Sequence, residues 1–280
     1  MTPASGPSAS TGVPGDGAAP GGGIVALGRW WREAVAEPIL SVLFPPRCVG
    51  CGDFESHLCP RCRASLVPIG GDCCPRCGEP GPRPLVAGRC SQCMGVDLAF
   101  SGARSAFAHT GPARRMVVEF KSGGQPVLAP LMAELARPAF RELVSYLDAG
   151  DRLVVTWVPS HRAAQRQRGY NQAELFARAL AAGPPVVHRA GLVRKTARTR
   201  HQKELGRGGR QANLRGAFAV DDKAVASLPF RPAAVVLVDD VYTTGATAQE
   251  VAAVLGRGVG VPVHVFTFSR AVSARSEGHD

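Results

Sequence analysis

The chain has 280 residues, of which 45% are hydrophobic and 20% are charged. These shares are typical of globular domains and exclude a wholly disordered chain, and the length allows one large and one small domain. Lysine and arginine total 33 against 22 acidic residues, a net charge of +11. This surplus favours anionic partners such as phosphate-rich metabolites, nucleic acid or acidic lipid headgroups, or it serves solubility alone.

The N-terminal region predicts no export or membrane segment. Residues 1–23 are rich in Gly, Pro, Ser and Ala, contain no basic residue and predict a disordered tail. A secretory signal needs a basic start and an apolar run, and a bilayer span needs ~20 nearly uncharged residues. We therefore expect a cytoplasmic protein with no integral membrane segment. Residues 24–44 predict a short amphipathic helix that ends at Pro45-Pro46.

All nine cysteines lie between Cys48 and Cys93, and eight of them form C-x-x-C pairs. Two such pairs supply the four thiolates of a tetrahedral zinc shell, so we expect two structural zinc ions. The eight predicted ligands are Cys48, Cys51, Cys59, Cys62, Cys74, Cys77, Cys90 and Cys93.

The arrangement of the ligands has alternatives. Neighbouring pairs can share an ion sequentially, which we favour, or they can interleave as a cross-brace. Disulfides are typical of secreted chains, and a redox C-x-x-C is normally single, so neither fits this segment well. A Cys₄ iron–sulfur cluster remains an alternative to zinc.

From residue 99 onward, apolar runs alternate with helical patterns, which predicts an α/β fold with a largely parallel sheet. The predicted strands are 103–109, 153–158, 234–238 and 261–268, and the predicted helices are 113–120, 127–147, 172–182 and 247–255. Residues 221–231 predict a loop, 256–260 a helix end and turn, and 271–280 a mobile tail.

A candidate phosphate site follows the predicted strand 234–238. Two carboxylates, Asp239 and Asp240, stand at its end, where open α/β sheets bind ligands. The next residues, Thr243 to Thr247, are small and hydroxyl-rich and lead into a helix N-terminus, which attracts phosphate. A sugar phosphate would satisfy both the carboxylates and the loop. Neither a P-loop nor a G-x-G-x-x-G fingerprint is present.

These residues resemble the PRPP-binding motif of type I phosphoribosyltransferases, in which apolar residues, two acids and T-T-G-A-T follow one another. The order of parts is similar to that of the ComF family. A cysteine-rich region is followed by F-K-x-G at Phe120, V-P-x-H-R at Val158, R-G-Y-N-Q-A at Arg168 and the PRPP loop. The resemblance spans roughly residues 40–270. It implies a double zinc ribbon within 24–98 and a type I phosphoribosyltransferase-like parallel sheet, flanked by helices, within 99–270.

The resemblance also implies roles for residues. The loop of Thr243, Thr244, Gly245, Ala246 and Thr247 would hold the 5-phosphate of PRPP, and Asp239 and Asp240 would contact the ribose hydroxyls. A second loop would hold the pyrophosphate through Ser160, His161, Arg162 and Arg168, with Arg166 nearby, and Mg²⁺ would bind with the substrate. A mobile basic loop within residues 194–215 would include Arg200, Gln202, Lys203 and Arg210.

Two functions follow from the resemblance. The first is a phosphoribosyltransferase-domain protein that binds Mg²⁺-PRPP, with an unnamed acceptor and a role in DNA uptake. The second is a non-catalytic component of the DNA-import machinery that binds single-stranded DNA and competence proteins. Lys121 of F-K-x-G has no assigned role, and Asn171 is expected to cap the helix that follows it.

Overall fold

A computed structural model describes residues 45–81, 85–183, 188–196, 214 and 216–272. The predicted tail at 1–23, the predicted helix at 24–44 and residues 273–280 lie outside these ranges. The chain divides into two compact units, Met1–Pro46 and Arg47–Asp280, and the second contains every element described below. In the described ranges, no helix has the length and apolar character needed to cross a membrane.

Seven strands occur in the described residues. They are β1 (Gly102–Ala108), β2 (Leu153–Trp157), β3 (His188–Arg189), β4 (Val193–Lys195), β5 (Phe218–Val220), β6 (Ala234–Tyr242) and β7 (Val263–Arg270). Five of them form one sheet in the order β1-β7-β6-β2-β3, and every neighbouring pair in it is parallel. The parallel sheet that the sequence predicts is therefore confirmed, and β4 and β5 form a separate antiparallel pair.

Seven α-helices occur in the same residues. They are α1 (Pro60–Ala64), α2 (Gly111–Lys121), α3 (Leu128–Ser145), α4 (Arg162–Arg168), α5 (Gln172–Leu180), α6 (Asp222–Ala226) and α7 (Ala246–Val259). Aromatic side chains join the helical layer to the sheet. The rings of Phe140 on α3 and Phe176 on α5 lie 5.2 Å and 6.4 Å from the ring of Phe266 on β7. All three rings are buried, and they form part of the core beneath the sheet.

Two local predictions were wrong. Residues 221–231 were expected to form a loop, but Asp221 caps α6, because its Oδ1 accepts a hydrogen bond from the Ala224 amide at 3.1 Å. The expected turn within 256–260 was also wrong, because α7 continues to Val259, but the expected helix end is there, with Gly260 as the C-cap in the left-handed conformation. Gly258 allows β5 to pack closely on α7, since a Cβ there would lie 2.4 Å from Cγ2 of Val220.

Strand β6 is longer than predicted. Its pairing with β2 ends at Val238, but its pairing with β7 continues as far as Tyr242 opposite Arg270. Asp239 and Asp240 are therefore still part of the strand, at a point where it has lost one of its two neighbours. A small cavity lies at this point of the carboxyl edge of the sheet, and Asp239 lines it together with Thr243 to Thr247.

The chain between the two cysteine clusters covers the outer edge of β1. The Ile69 amide donates to the Ala106 carbonyl at 2.9 Å, and the Ala108 amide donates to the Val67 carbonyl at 2.8 Å. An open strand edge presents unpaired backbone groups, so these bonds give β1 a second neighbour and close that side of the sheet.

Candidate functional site

The eight predicted cysteine ligands form two compact groups. The Sγ atoms of Cys48, Cys51, Cys59 and Cys62 lie within 4.8 Å of one another, as do those of Cys74, Cys77, Cys90 and Cys93. The sequential arrangement is thus the one that the structure has, and the cross-brace alternative was wrong.

The sulfur spacing fits zinc. Bonds of about 2.3 Å at tetrahedral angles place sulfur atoms about 3.8 Å apart. The observed Sγ–Sγ distances are 3.7 Å for Cys51–Cys59, 3.7 Å for Cys74–Cys93 and 3.6 Å for Cys77–Cys90. Four thiolates close the shell and leave no position for a reactive water, so the zinc ions are structural.

Backbone geometry prepares the thiolates for the metal. Amides of Gly50 and Cys59 donate to the Cys48 Sγ, each at 3.3 Å. Burial alone would raise the pKa of the Cys48 thiol, but these amide donors outweigh it and bring the pKa to about 6. Cys74 in the second group has a pKa of about 6 for the same reasons. Each group therefore contains one thiol that ionises easily, as a zinc ligand must.

The candidate phosphate loop joins β6 to α7. Gly245 is the N-cap of α7 and has a φ of +75°, and Thr244 Oγ1 accepts a hydrogen bond from the Ala246 amide at 3.4 Å. The first amides of a helix have no partner within it, so this N-terminus offers donors and a positive dipole end to an anion. Thr243 is exposed, whereas Thr244 and Thr247 are half-buried. The structure therefore brings the predicted loop residues together around one helix N-terminus.

The two carboxylates differ in their surroundings. Asp240 is buried and pairs with Lys121, whose Nζ lies 3.3 Å from Oδ2. Desolvation and the neighbouring charge of Asp240 raise the pKa of the Asp239 carboxyl to about 7. The pKa of Lys121 is raised, mainly by Asp240. Lys121, to which the sequence assigned no role, is therefore a cation of this site.

Three sequence motifs meet beside the carboxylates. The Tyr170 hydroxyl donates to the Phe120 carbonyl at 2.9 Å, and Gln172 Nε2 donates to the Lys121 carbonyl at 3.4 Å. Asn171 stands at the N-cap of α5, but its side chain does not cap the helix as expected. Its Nδ2 donates instead to the Val158 carbonyl at 3.1 Å, in a buried contact. F-K-x-G, R-G-Y-N-Q-A and the start of V-P-x-H-R are thus joined by hydrogen bonds.

The predicted pyrophosphate loop follows β2 and leads into α4. His161 caps α4, since its Nδ1 accepts from the Ala163 amide at 3.1 Å. Ser160 Oγ is buried and has no hydrogen-bond partner among the described residues. Arg168 lies close enough to oppose the rise in the pKa of Lys121. The side chain of Arg162 lies outside the described part of the structure, and Arg166 is exposed.

Sequence reasoning missed two residues at the same edge of the sheet. His109 follows the end of β1, and its Nδ1 lies 2.8 Å from the Ser269 Oγ near the end of β7. Burial and the positive charge of Arg114 lower the pKa of His109. The available signal was its position, since a polar residue directly after a buried parallel strand lies at the ligand-binding edge.

The predicted basic loop emerges from the β4–β5 pair. Arg200, Gln202, Lys203 and Arg210 lie outside the described residues, but both ends of the segment are described. The Thr196 amide donates to the Ala217 carbonyl at 2.8 Å, and the Gly216 amide donates to Glu250 Oε1 on α7 at 2.9 Å. The base of the basic segment is therefore attached to the helix that begins at the phosphate loop.

Known proteins resemble this chain both in the cysteine-rich region and over most of its length. Residues 39–94 match the family model of a double zinc ribbon domain. Competence protein F of Haemophilus influenzae is 27% identical over 231 residues, which cover 80% of this chain and 97% of that protein. DNA utilization protein YhgH of Salmonella typhimurium is 28% identical, over 71% of this chain and 84% of that protein.

Competence protein ComFC of Bacillus subtilis is 25% identical over 221 residues, which cover 78% of this chain and 85% of that protein. These similarities cover 71–80% of the chain, and the family-model match lies over the two tetracysteine sites. The chain is therefore similar over most of its length to these competence and DNA utilization proteins, and it consists of a double zinc ribbon followed by a mostly parallel, helix-flanked sheet.

Proposed function

We propose that the chain binds Mg²⁺-PRPP at the carboxyl edge of its sheet. The observation that carries this proposal is that Asp239 and the loop at the N-terminus of α7 line one small cavity, with Asp240 next to Asp239 in β6. The loop Thr243 to Thr247 would hold the 5-phosphate through backbone amides and hydroxyls. The carboxylates would accept hydrogen bonds from the ribose hydroxyls.

The pyrophosphate of PRPP needs positive charge on the other side of the ribose. Lys121 and Arg168 supply it, and the unpartnered Ser160 Oγ adds a donor. Mg²⁺ would arrive with the substrate, bound mainly through phosphate oxygens, because it prefers oxygen ligands and retains water. Asp239, half-buried beside the phosphate loop, is the protein oxygen donor that fits such an ion.

The reaction that this site would support is transfer of the phosphoribosyl group. A nucleophile on the acceptor forms a bond to C1 of the ribose, while the bond from C1 to the pyrophosphate oxygen breaks and both electrons leave with pyrophosphate. Lys121 and Arg168 would stabilise the charge on the leaving group, and the carboxylates would stabilise the positive charge on the sugar.

We further propose a role in DNA uptake. The proteins similar to this chain carry the names competence protein and DNA utilization protein. A second candidate function, non-catalytic binding of single-stranded DNA and of import proteins, rests on the net charge of +11 and on the basic residues within 194–215. The two functions are compatible, since the proposed PRPP site uses the N-terminus of α7, whereas Gly216, which follows the basic segment, is bound to Glu250 further along that helix.

Calorimetric titration of Mg²⁺-PRPP into the zinc-loaded protein tests the first function. The Asp239→Asn/Asp240→Asn variant should lose binding, whereas Asp148→Asn/Asp151→Asn, which makes the same change in charge at two exposed positions, should bind like the wild type. The proposed site is supported if the wild type and the control variant bind and the Asp239→Asn/Asp240→Asn variant does not. No binding by the folded wild type would refute it, and titration with single-stranded DNA over a salt series then tests the second function.

A further inference from the structure

A cavity of about 410 Å³ separates the second tetracysteine site from the phosphate loop. Cys77 and Cys93 lie on its wall, as do Thr244 and Gly245 of the loop. The four cysteines of the first site are not among the residues that line it. Because the cavity lies on this side of the phosphate loop, only a few contacts there can hold the loop in its conformation.

Arg270, the last residue of β7, also lines this cavity and is bound to the second ribbon. Its Nη1 donates to the Cys77 carbonyl at 2.6 Å, and its Nη2 and Nε donate to Glu79 Oε2 at 2.7 Å and 3.0 Å. The side chains of Arg270 and Glu79 are only 6% and 4% exposed. A buried guanidinium that donates three bonds is held in one position, and the Cys77 carbonyl belongs to the zinc knuckle itself.

The guanidinium of Arg270 also lies over the ring of Tyr242. The Arg270 Cζ lies 4.3 Å from the centre of the Tyr242 ring, and that ring is buried. The Tyr242 hydroxyl in turn touches Gly245, because a Cβ built on Gly245 would lie 2.2 Å from it. Cys77, Arg270, Tyr242 and Gly245 therefore form a continuous chain of contacts from the zinc knuckle to the phosphate loop.

We propose that Arg270 is a positioning residue through which zinc in the second tetracysteine site maintains the phosphate loop in its binding conformation. The zinc closes the knuckle and fixes the Cys77 carbonyl, Arg270 transmits that position to Tyr242, and Tyr242 limits the movement of Gly245. The part of this proposal that concerns PRPP rests on the proposed function, whereas the mechanical link to the loop does not. Loss of zinc from the second site releases the loop, and loss from the first site leaves it in place.

The test compares matched variants in the full chain. Glu79→Leu/Arg270→Met replaces the buried ion pair with apolar groups, because removal of Arg270 alone would leave a buried charge unpaired. Arg104→Gln is the control, since Arg104 also donates to a carbonyl of the second ribbon, that of Cys74 at 3.3 Å, but lies outside the chain of contacts. Cys90→Ser and Cys62→Ser each remove one buried ligand, from the second and first site respectively.

Two measurements are made on each variant: amide hydrogen exchange of peptides covering 243–248, and the Kd for Mg²⁺-PRPP. We expect Glu79→Leu/Arg270→Met and Cys90→Ser to accelerate exchange in the loop and to raise the Kd about tenfold. Arg104→Gln and Cys62→Ser should leave both close to the wild-type values.

Unchanged loop exchange in Glu79→Leu/Arg270→Met, or equal acceleration in Arg104→Gln, would overturn the proposal. If the wild type fails to bind PRPP, the proposed function fails, but the exchange data still decide the mechanical link. Thermal unfolding shows whether each variant folds. If the cysteine variants do not fold, the comparison of Glu79→Leu/Arg270→Met with Arg104→Gln decides the proposal.

Discussion

Replacement of Gly245 by alanine should damage both stability and phosphate binding. The residue has a φ of +75°, a conformation that costs an L-residue about 1–2 kcal/mol, offset by ~0.4–1 kcal/mol because alanine restricts the unfolded chain. The new Cβ would also lie 2.2 Å from the Tyr242 hydroxyl and 2.5 Å from Cζ of the same ring. Since that ring is buried, overpacking adds about 1–3 kcal/mol, for a total loss of about 1–5 kcal/mol.

The matched control is Gly260→Ala, at the other end of α7. Gly260 has a similar φ of +71°, but a Cβ built there meets nothing within 4 Å. We expect it to lose only the backbone contribution, about 1 kcal/mol, and to keep its affinity for Mg²⁺-PRPP. Urea unfolding gives the free energy of each variant, and calorimetry gives the affinity, which should fall about tenfold or more for Gly245→Ala alone.

Equal destabilisation by the two substitutions would refute this reasoning. It would show that Tyr242 moves aside without cost and that the ring does not restrain the loop. A Gly245→Ala variant that is destabilised yet binds PRPP normally would separate the packing at Gly245 from the geometry of the phosphate site.

Three further predictions concern the metal sites and the carboxyl edge of the sheet. The purified chain should contain two zinc ions. A chelator should remove the ion of the first site faster, because Cys51 is exposed whereas all four cysteines of the second site are buried. Release of both ions in a single phase would contradict this. The free energy of unfolding should fall as the pH rises from about 4 to about 7, because Asp239 keeps its proton in the folded state up to about 7 but loses it at its ordinary pKa when unfolded. Asp239→Asn should remove this part of the slope in urea unfolding between pH 4 and 8, and identical slopes would contradict the raised pKa. Asn171→Ala should cost about 1–3 kcal/mol in thermal unfolding, since the buried Val158 carbonyl loses its donor, and should weaken binding of inorganic pyrophosphate; an unchanged melting temperature would count against it.

The fold could be predicted where one local signal dominated. The apolar run before Asp239 indicates a strand buried on both faces, and the structure has it at the centre of the sheet. The extension of β6 to Tyr242 could not be predicted, because it depends on pairing with Arg270 of β7, which is distant in sequence. Helix α6 was missed because the consecutive Asp221 and Asp222 are typical of a surface loop, although Asp221 is also a good N-cap.

The candidate site divides in the same way. The cysteine groups and the acidic pair with its loop are contiguous or regularly spaced, so the sequence alone shows them together. Lys121 meets Asp240 across 119 positions of the chain, and His109 meets Ser269 across 160. Such pairs are brought together by the crossover connections of the sheet, and a local sequence pattern does not predict which strands these connections place side by side. The roles of Ser160, His161, Arg162 and Arg168 toward pyrophosphate, and the domain boundary at residue 98, stay predictions.

The backbone bonds that Val67 and Ile69 make to β1 have a consequence for dissection of this protein. A fragment that starts at residue 99 would retain all five strands of the sheet but would expose the donors and acceptors of β1 along a free edge. Such a fragment should associate edge to edge at the concentrations used for purification, however well its interior packs. Fragments intended for crystallisation or for domain swaps between relatives should therefore begin ahead of Cys48, so that they contain both the ribbons and the sheet.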